Sequence, residues 1–253
     1  MLAPQRHEQI LSLLEKHGTM RTVDLAETFE VTDETIRRDL LTLSESGKLT
    51  KVHGGASSLT GRPKPQSFIE RSLINTDRKG LIAQKALEYI TPNKTYAFDS
   101  STTAMSLVAK LPDEDFRVVS NAFAVFEQLA HKENIELIST GGQFHKKTRT
   151  FVNGNTLQSL QRYHIHTALI SCIGFNLKTG AGDAFEAQAT YKGLLVEHAD
   201  EVILLIDSSK FERQSDYYFA SSSQINKIIT DSKIDPEIAE RIGKSSIELI
   251  IAE

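Results

Sequence analysis

The stretch Thr32-Asp33-Glu34-Thr35-Ile36-Arg37-Arg38-Asp39-Leu40-Leu41-Thr42-Leu43 decides the reading of the N-terminal region. Ile36, Leu40 and Leu43 recur at spacings of four and three, the stripe of a helix that buries one face. Thr32 stands where an N-cap is needed, and Gly47 where a helix stops. With the stripe inward, Thr35 and Arg38 point outward and Arg37 lies on the flank. A guanidinium so placed can fork onto a guanine or clamp a phosphate. Just upstream, Glu30-Val31-Thr32 is too short for anything but a turn. A short helix from about Val23 to Phe29 precedes it, with Thr22 as cap and Leu25, Ala26 and Phe29 inward. Residues 5–16 read as a further helix, with Ile10, Leu11, Leu13 and Leu14 apolar, His7 at the stripe's edge, and Gly18 as the stop behind Lys16 and His17. Downstream, Leu49-Thr50-Lys51-Val52 alternates like a short strand, and His53-Gly54-Gly55 turns the chain out of it.

Three short helices, a tight turn and a strand within residues 1–56 predict a winged helix-turn-helix. The candidate DNA contacts are Arg21, Thr32, Glu34, Thr35, Arg37, Arg38, Lys48, Lys51 and His53. The bland alternative is a three-helix packing module with a solvated charged face. The turn, the arginine pair and the wing occurring in this order favour DNA reading.

The chain has 253 residues, 40% hydrophobic and 25% charged, which suits one large domain or a small and a medium one. A single cysteine, Cys172, excludes a disulfide framework within the chain and a Cys-rich zinc site. The first residues show no cationic stretch followed by an apolar run, and apolar runs such as Val202–Ile206 are of strand length. No secretory signal and no membrane span are expected, and a cytoplasmic location is. The net charge of −4 argues weakly against nucleic acid. Residues 1–56 hold seven Lys/Arg against nine Asp/Glu, but the basic groups lie mostly in the latter half, so a polarised domain is expected.

Residues 57–76 read as a partly extended joint, broken by Ser57-Ser58, Gly61, Pro63 and Pro65, with Arg62 and Lys64 adding charge. From 77 to 253 helices alternate with apolar runs. Helices are expected over 77–90, 102–111, 122–131 and 184–198, and another opens at Asp235-Pro236-Glu237. Strands are expected over 95–98, 117–119, 135–139, 167–173, 201–206, 227–230 and 247–251. The fold class is therefore α/β: a small winged helix-turn-helix followed by a larger three-layer α/β domain with a mostly parallel sheet, antiparallel pairing being allowed at its edges.

Open sheets of this kind bind ligands beyond the C-terminal ends of their strands. The first such end carries Asp99-Ser100-Ser101-Thr102-Thr103. Its hydroxyls and free N–H groups suit a phosphate, although helix capping explains part of the run. Other ends present Ser120-Asn121, Ser139-Thr140-Gly141-Gly142, Cys172-Ile173-Gly174 and Asp207-Ser208-Ser209-Lys210. Lys210 could complete an anion site or lie on the surface. Glu186, near its helix start, could reach a pocket, while Lys192 is less constrained. Gly180-Ala181-Gly182 lacks the third glycine of a dinucleotide fingerprint. His164 and His166 have no third ligand at metal spacing, and Cys172 reads as a buried small residue. No metal and no cofactor are expected.

Taken together, Arg6-x-x-x-Ile10, Thr35-Ile36-Arg37-Arg38-Asp39-Leu40, Gly47-Lys48-Leu49 and His53-Gly54-Gly55-Ala56 closely resemble the DeoR family of bacterial transcriptional repressors. The resemblance continues through Arg78-Lys79, Ile82-Ala83, the Asp99–Thr103 run, Asn121, Gly141-Gly142, Gly154, Gly174, Glu186 and Asp207-x-Ser-Lys210, over nearly the whole chain. It implies a repressor of a sugar or polyol catabolic operon. It further implies a ribose-5-phosphate isomerase-like sensor domain, double-stranded operator DNA and a phosphorylated sugar or polyol effector as partners, and a homo-oligomer, dimer or tetramer. It carries Lys79, Asp99, Ser101, Thr102, Thr103, Asn121, Gly142, Gly174, Glu186, Lys192 and Lys210 into an effector pocket, which Ser100, Gly141 and Asp207 join from the strand ends. The sequence departs from the family pattern at Ser101, often glycine, at Ser120, commonly threonine, and at Thr32, usually serine. Ser101 narrows the cradle or adds a hydroxyl. The rival reading is a sugar-phosphate isomerase-like enzyme with an accessory DNA-binding domain, using Asp99, Glu186 and Asp207 as acid–base groups. Such an enzyme has no need of Arg37 and Arg38, and no residue is assigned a catalytic role.

Overall fold

The computed structural model describes residues 2–59 and 67–253. The predicted breakers Gly61, Arg62, Pro63, Lys64 and Pro65 lie outside the described residues. The N-terminal unit comprises α1 (Ala3–His17), β1 (Thr19–Arg21), α2 (Thr22–Phe29), α3 (Asp33–Glu45), β2 (Thr50–Val52) and β3 (Gly55–Ser57). Thr32 caps α3, its Oγ1 accepting the Thr35 N–H at 3.3 Å. Thr22, expected to cap α2, is instead that helix's first residue and follows an uncapped Arg21. The wing is a three-stranded antiparallel sheet in the order β1-β3-β2. Only β2 was expected, because three-residue strands such as Thr-Met-Arg and Gly-Ala-Ser are too short to show an alternating pattern. The two glycines of His53-Gly54-Gly55 serve this sheet. Gly54 turns with φ +69°, and a Cβ on Gly55 would lie 2.1 Å from the Met20 carbonyl oxygen.

Ile10, Leu14, Leu25, Ile36, Leu40, Leu43 and Leu49 form the core of this unit. Each such side chain contributes about 1.5–3 kcal/mol by leaving water. A buried ion pair lies beside them. The Asp39 carboxylate accepts from Arg6 Nε at 2.5 Å and Arg6 Nη2 at 3.1 Å, and lies 2.9 Å from His7 Nε2. This clamp ties α1 to α3 one residue beyond Arg38.

The chain continues through α4 (Phe68–Ser72), α5 (Thr76–Ala86), β4 (Thr95–Phe98), α6 (Thr102–Val108), β5 (Phe116–Ser120), α7 (Phe123–Leu129) and β6 (Ile135–Ser139). A small excursion follows, β7 (Phe144–His145), β8 (Thr150–Phe151) and α8 (Gly154–Leu160). Then come β9 (Ile165–Ile170), β10 (Gly174–Asn176), β11 (Gly180–Asp183), α9 (Glu186–His198), β12 (Ala199–Leu205), β13 (Tyr217–Ala220), β14 (Lys227–Asp231), α10 (Pro236–Gly243) and β15 (Glu248–Ala252). Seven strands make one sheet, β15-β14-β12-β9-β4-β5-β6, and every pairing in it is parallel, the edges included. A second, antiparallel sheet, β10-β11-β13, stands beside it. Alternation within the strands builds two cores. Ala97, Val202 and Leu204 face one layer with Tyr191 and Leu195 of α9, while Tyr96, Phe98, Ile203 and Leu205 face the other with Ile82 of α5 and Leu107 of α6. The predicted joint is partly helical. Ser57 ends β3, and α4 opens on a capping box in which Ser67 and Glu70 bond each other's backbone N–H groups.

Asp39→Ala leaves the buried Arg6 guanidinium without its carboxylate. A destabilisation of about 3–5 kcal/mol is expected, read as a lowered melting transition of the N-terminal unit by circular dichroism.

Candidate functional site

The chain runs outward from β4 to β5 and β6, then returns to place β9 on the other side of β4. The crevice at such a reversal is where open α/β sheets take ligands. Asp99 follows β4 and Ser171 follows β9, and both are buried. Asp99 accepts from the Ser101 N–H and hydroxyl at 3.1 and 2.6 Å and from the Ser171 N–H at 3.3 Å. Lys192, on α9, sits behind them. Its Nζ lies 2.9 Å from Asp99, 2.7 Å from Asp183 and 2.8 Å from the Ser171 carbonyl, which uses all three ammonium donors. Burial opposes the charge on both partners, but their mutual attraction prevails: Lys192 is raised and Asp183 lowered from their ordinary values.

In front of this triad opens a cavity of about 290 Å³. Lys79, Ser101, Thr102, Thr103, Lys192, Asp207 and Lys210 line it, joined by Arg71 of α4 and Arg213. Asp207 receives the Ser209 N–H at 3.0 Å and Asn75 Nδ2 at 3.1 Å through one oxygen, while its other oxygen is buried without a partner. Burial resists its ionisation, but Lys210, Ser209 and Lys79 hold it below the usual carboxylate range. The cations are strained in the opposite sense. Burial, then the neighbouring Lys210, pushes Lys79 down to about 8. Burial and Arg213 push Lys210 down to about 8, and burial pushes Arg213 down to about 10. Burial lowers Arg71 as well. Among the described residues no carboxylate lies within ion-pair distance of Lys210, Arg213 or Arg71, and Arg213 Nε is buried without an acceptor. Excess desolvated positive charge with free donors is the chemistry of an anion site.

The far wall of the cavity belongs to the N-terminal unit: Leu13 and His17 of α1, Thr19–Arg21, and Asp24, Glu27 and Thr28 of α2. Arg78 of α5 joins the halves, its Nη2 lying 3.0 Å from Asp24 and its Nη1 donating to Ser208 Oγ at 3.3 Å. Lys233 pairs with Glu27 at 2.6 Å, Arg21 donates to the Lys233 carbonyl, and His53 lies 3.1 Å from Glu237.

Of the predicted DNA contacts, Arg37, Arg38, Glu34, Lys48 and Lys51 are exposed, and Thr35 is half-buried with its hydroxyl 2.9 Å from that of Thr32. Arg37, Lys51 and His53 line one groove, whose opposite wall is residues 233–236. Arg21 is committed elsewhere, to Asp24 and to Lys233. Among the described residues one group has metal-ligating spacing, His53, Asp235 and Glu237, with donor atoms within 4.8 Å of one another. Asp235 caps α10 and His53 faces Glu237, so they also satisfy each other.

The predicted effector residues divide. Ser100 is buried behind the cavity, its hydroxyl on Gln188. Asp99 is likewise buried behind it, paired with Lys192, and five others do not line it either. Glu186 is exposed in the first turn of α9 and does not reach the cavity, whereas Lys192, also predicted there, does. Gly141 and Gly142 lie in an exposed loop. Gly174 serves packing: a Cβ there would meet the Arg213 carbonyl oxygen at 2.3 Å. Asn121 is buried with both side-chain polar atoms unpartnered. His166 Nδ1 accepts the Thr95 N–H at 3.0 Å, which gives it a structural role, and burial pushes the Cys172 thiol up to about 12. Arg71, Arg213, Asn75 and Asp183 were missed. Arg213, three residues after Lys210, offered a local signal; Arg71 offered none.

Residues 6–62 match the DeoR-like helix-turn-helix domain, and residues 74–232 match the DeoR C terminal sensor domain. An uncharacterized HTH-type transcriptional regulator of Bacillus subtilis, YulB, is 34% identical over 98% of this chain and 96% of its own. The L-fucose operon activator of Haemophilus influenzae is 32% identical over 97% of this chain and 99% of its own. The putative aga operon transcriptional repressor of Escherichia coli O157:H7 is 30% identical over 98% and 93%. Among solved structures, ribose 5-phosphate isomerase A of Methanocaldococcus jannaschii aligns over 54% of this chain and 55% of its own, at 16% identity and a TM-score of 0.41. No helix among the described residues is long and apolar enough to cross a membrane.

Lys192→Met removes the counter-charge from two buried carboxylates. Denaturant unfolding at pH 7 is expected to show a loss of about 3–5 kcal/mol. Without Lys192 the Asp183 pKa rises, so the deficit should narrow as pH falls toward 5 and the carboxylate protonates. A deficit that stays constant across that window would mean the triad is not what stabilises the crevice.

Proposed function

Because the chain belongs to the DeoR family of transcriptional regulators of sugar and polyol metabolism, we propose that it represses a sugar or polyol catabolic operon, with its operator affinity set by a phosphorylated sugar or polyol in the cavity between its two units. The relatives are transcriptional regulators rather than enzymes, and so is this chain. One observation carries the effector reading: Lys210, Arg213 and Arg71 share a desolvated cavity without a carboxylate partner among the described residues. A phosphate dianion supplies the missing charge and the acceptors for the free N–H groups. The hydroxyls of Thr102 and Thr103 and the carboxylate of Asp207 stand within the same walls for the polyhydroxyl portion. The effector-contacting set in this reading is Lys79, Ser101, Thr102, Thr103, Asp207 and Lys210, with Arg71 and Arg213 added.

DeoR-family regulators bind operator DNA and act as oligomers. In this reading α3 enters the major groove with Arg37 and Arg38 outward, and Lys48 and Lys51 reach the backbone from around the wing. A dimer or tetramer presents two such units to an operator of matching symmetry. The effector acts by binding one arrangement of the units better than another, and a few kcal/mol of difference suffices.

A thermal-shift screen of paired phosphorylated and unphosphorylated sugars and polyols tests the effector. A phosphorylated compound at a hundred times its Kd stabilises by about 2.7 kcal/mol. Lys210→Gln and Thr102→Asp are expected to abolish the shift while operator affinity remains; shifts from unphosphorylated compounds alone would overturn the phosphate assignment. Binding is expected to weaken as pH rises through about 8, where Lys79 and Lys210 lose their protons, and to be retained below it. Arg38→Ala is expected to cost about 1–3 kcal/mol of operator affinity through loss of a bidentate base contact. Mobility shifts on single-base operator variants check this, since unchanged discrimination would remove Arg38 from base reading.

A further inference from the structure

His17 is the last residue of α1, and it lines the cavity together with Lys210 and Arg213. It is half-buried, and its ring has no hydrogen-bond partner among the described residues. We infer that His17 is part of the effector site, its ring donating a hydrogen bond to the anionic group held by Lys210 and Arg213, so that the DNA-binding unit itself touches the effector.

The inference rests on the anionic-effector reading above and goes beyond it. Three features support it. First, the ring stands at a helix C-terminus, where positive charge is ordinarily favoured. Here burial, then Arg213, Lys210 and Lys16, outweighs the opposing Asp207, and the ring is pushed down to about 4. A neutral imidazole among cations is one that a bound anion converts to a charged donor. Second, the cavity wall opposite Lys79, Lys210 and Arg213 is built from α1 and α2. A ligand filling the cavity therefore meets the DNA-binding unit. Third, α1 is anchored at its other end: Arg6 and His7 hold Asp39 of α3. Fifteen residues of helix, about 22 Å, thus connect a ligand contact to the DNA-reading helix.

The test uses the full chain with orthophosphate as probe. The His17 ring is followed by ¹H–¹⁵N NMR through a pH titration, with and without saturating phosphate. Its pKa is expected to rise from about 4 by two units or more, because Lys210, Arg213 and Lys16 are then offset by the bound anion. An unchanged ring pKa at saturation would overturn the inference. Isothermal titration of His17→Gln is expected to show binding weakened about tenfold, and less proton uptake than the parent in paired buffers at pH 6.5. His17→Lys, which keeps a cation there, is expected to restore affinity without the proton uptake; a purely structural role for the ring would give neither result. Lys210→Gln separates the two levels. If it loses phosphate binding while His17→Gln matches the parent, the anionic site stands and this inference falls. If the parent binds neither orthophosphate nor ribose 5-phosphate, glucose 6-phosphate or fructose 1-phosphate, the anionic-effector reading fails, and this inference with it.

Discussion

A single ammonium group organises the crevice. Lys192 bonds Asp99 at the end of β4, Asp183 at the end of β11 and the carbonyl of Ser171 after β9. These points lie on three separate strands and are held by one helix, α9. Burying the three charges costs several kcal/mol per ion unless the geometry is satisfied, and here every ammonium donor is used. The triad fixes how α9 and the β10-β11-β13 sheet sit against the main sheet. It also occupies Asp99 and Asp183, which would otherwise supply negative charge to the cavity. The positive field in front of Lys192 follows: the carboxylates nearest the strand ends are spent on structure, while Lys210, Arg213 and Arg71 have no carboxylate partner among the described residues, and Lys79 is held by the Arg71 and Ile74 carbonyls rather than by a carboxylate.

The same division accounts for the rejected enzyme reading. Acid–base catalysis at the strand ends needs a carboxylate free to gain and lose a proton at working pH. Asp99 is tied to Lys192, Asp207 is held ionised by Lys210, Ser209 and Lys79, and Glu186 is exposed on α9 and does not line the cavity. What remains is a set of donors suited to holding an anion.

The elements that could be read in advance are those in which pattern and punctuation agree. α3 combines a capping Thr32, a stripe of Ile36, Leu40 and Leu43, and a stop at Gly47. β4 and β6 have the predicted bounds because short apolar runs end there on polar residues. The cavity was legible only in part. Lys79, Ser101–Thr103, Asp207 and Lys210 sit at strand ends or in a family motif, and the fold delivers them to one place. Arg71 belongs to a five-residue helix inside a segment read as a joint, and no periodicity distinguishes its role. Glu186 was misplaced because proximity to a helix start does not say which side of that helix faces the sheet. Lys192 lies on that side, and only packing reveals it. That the N-terminal unit supplies a wall of the cavity depends on contacts such as Arg78 to Asp24, which join residues far apart in sequence and leave no trace in any local window.

The contact between Arg21 and the Lys233 carbonyl has a further consequence. The guanidinium also holds Asp24, so its donors are divided between its own helix and the neighbouring unit. His53 faces Glu237 on that same neighbour. Two of the groups predicted to reach DNA are thus already engaged by the protein. A phosphate that takes the donors used in these contacts competes with an internal acceptor, so that part of its binding is an exchange rather than a new bond. The residues around Lys233 and Glu237 then act as a built-in competitor, present at a fixed effective concentration whatever the amount of protein in solution.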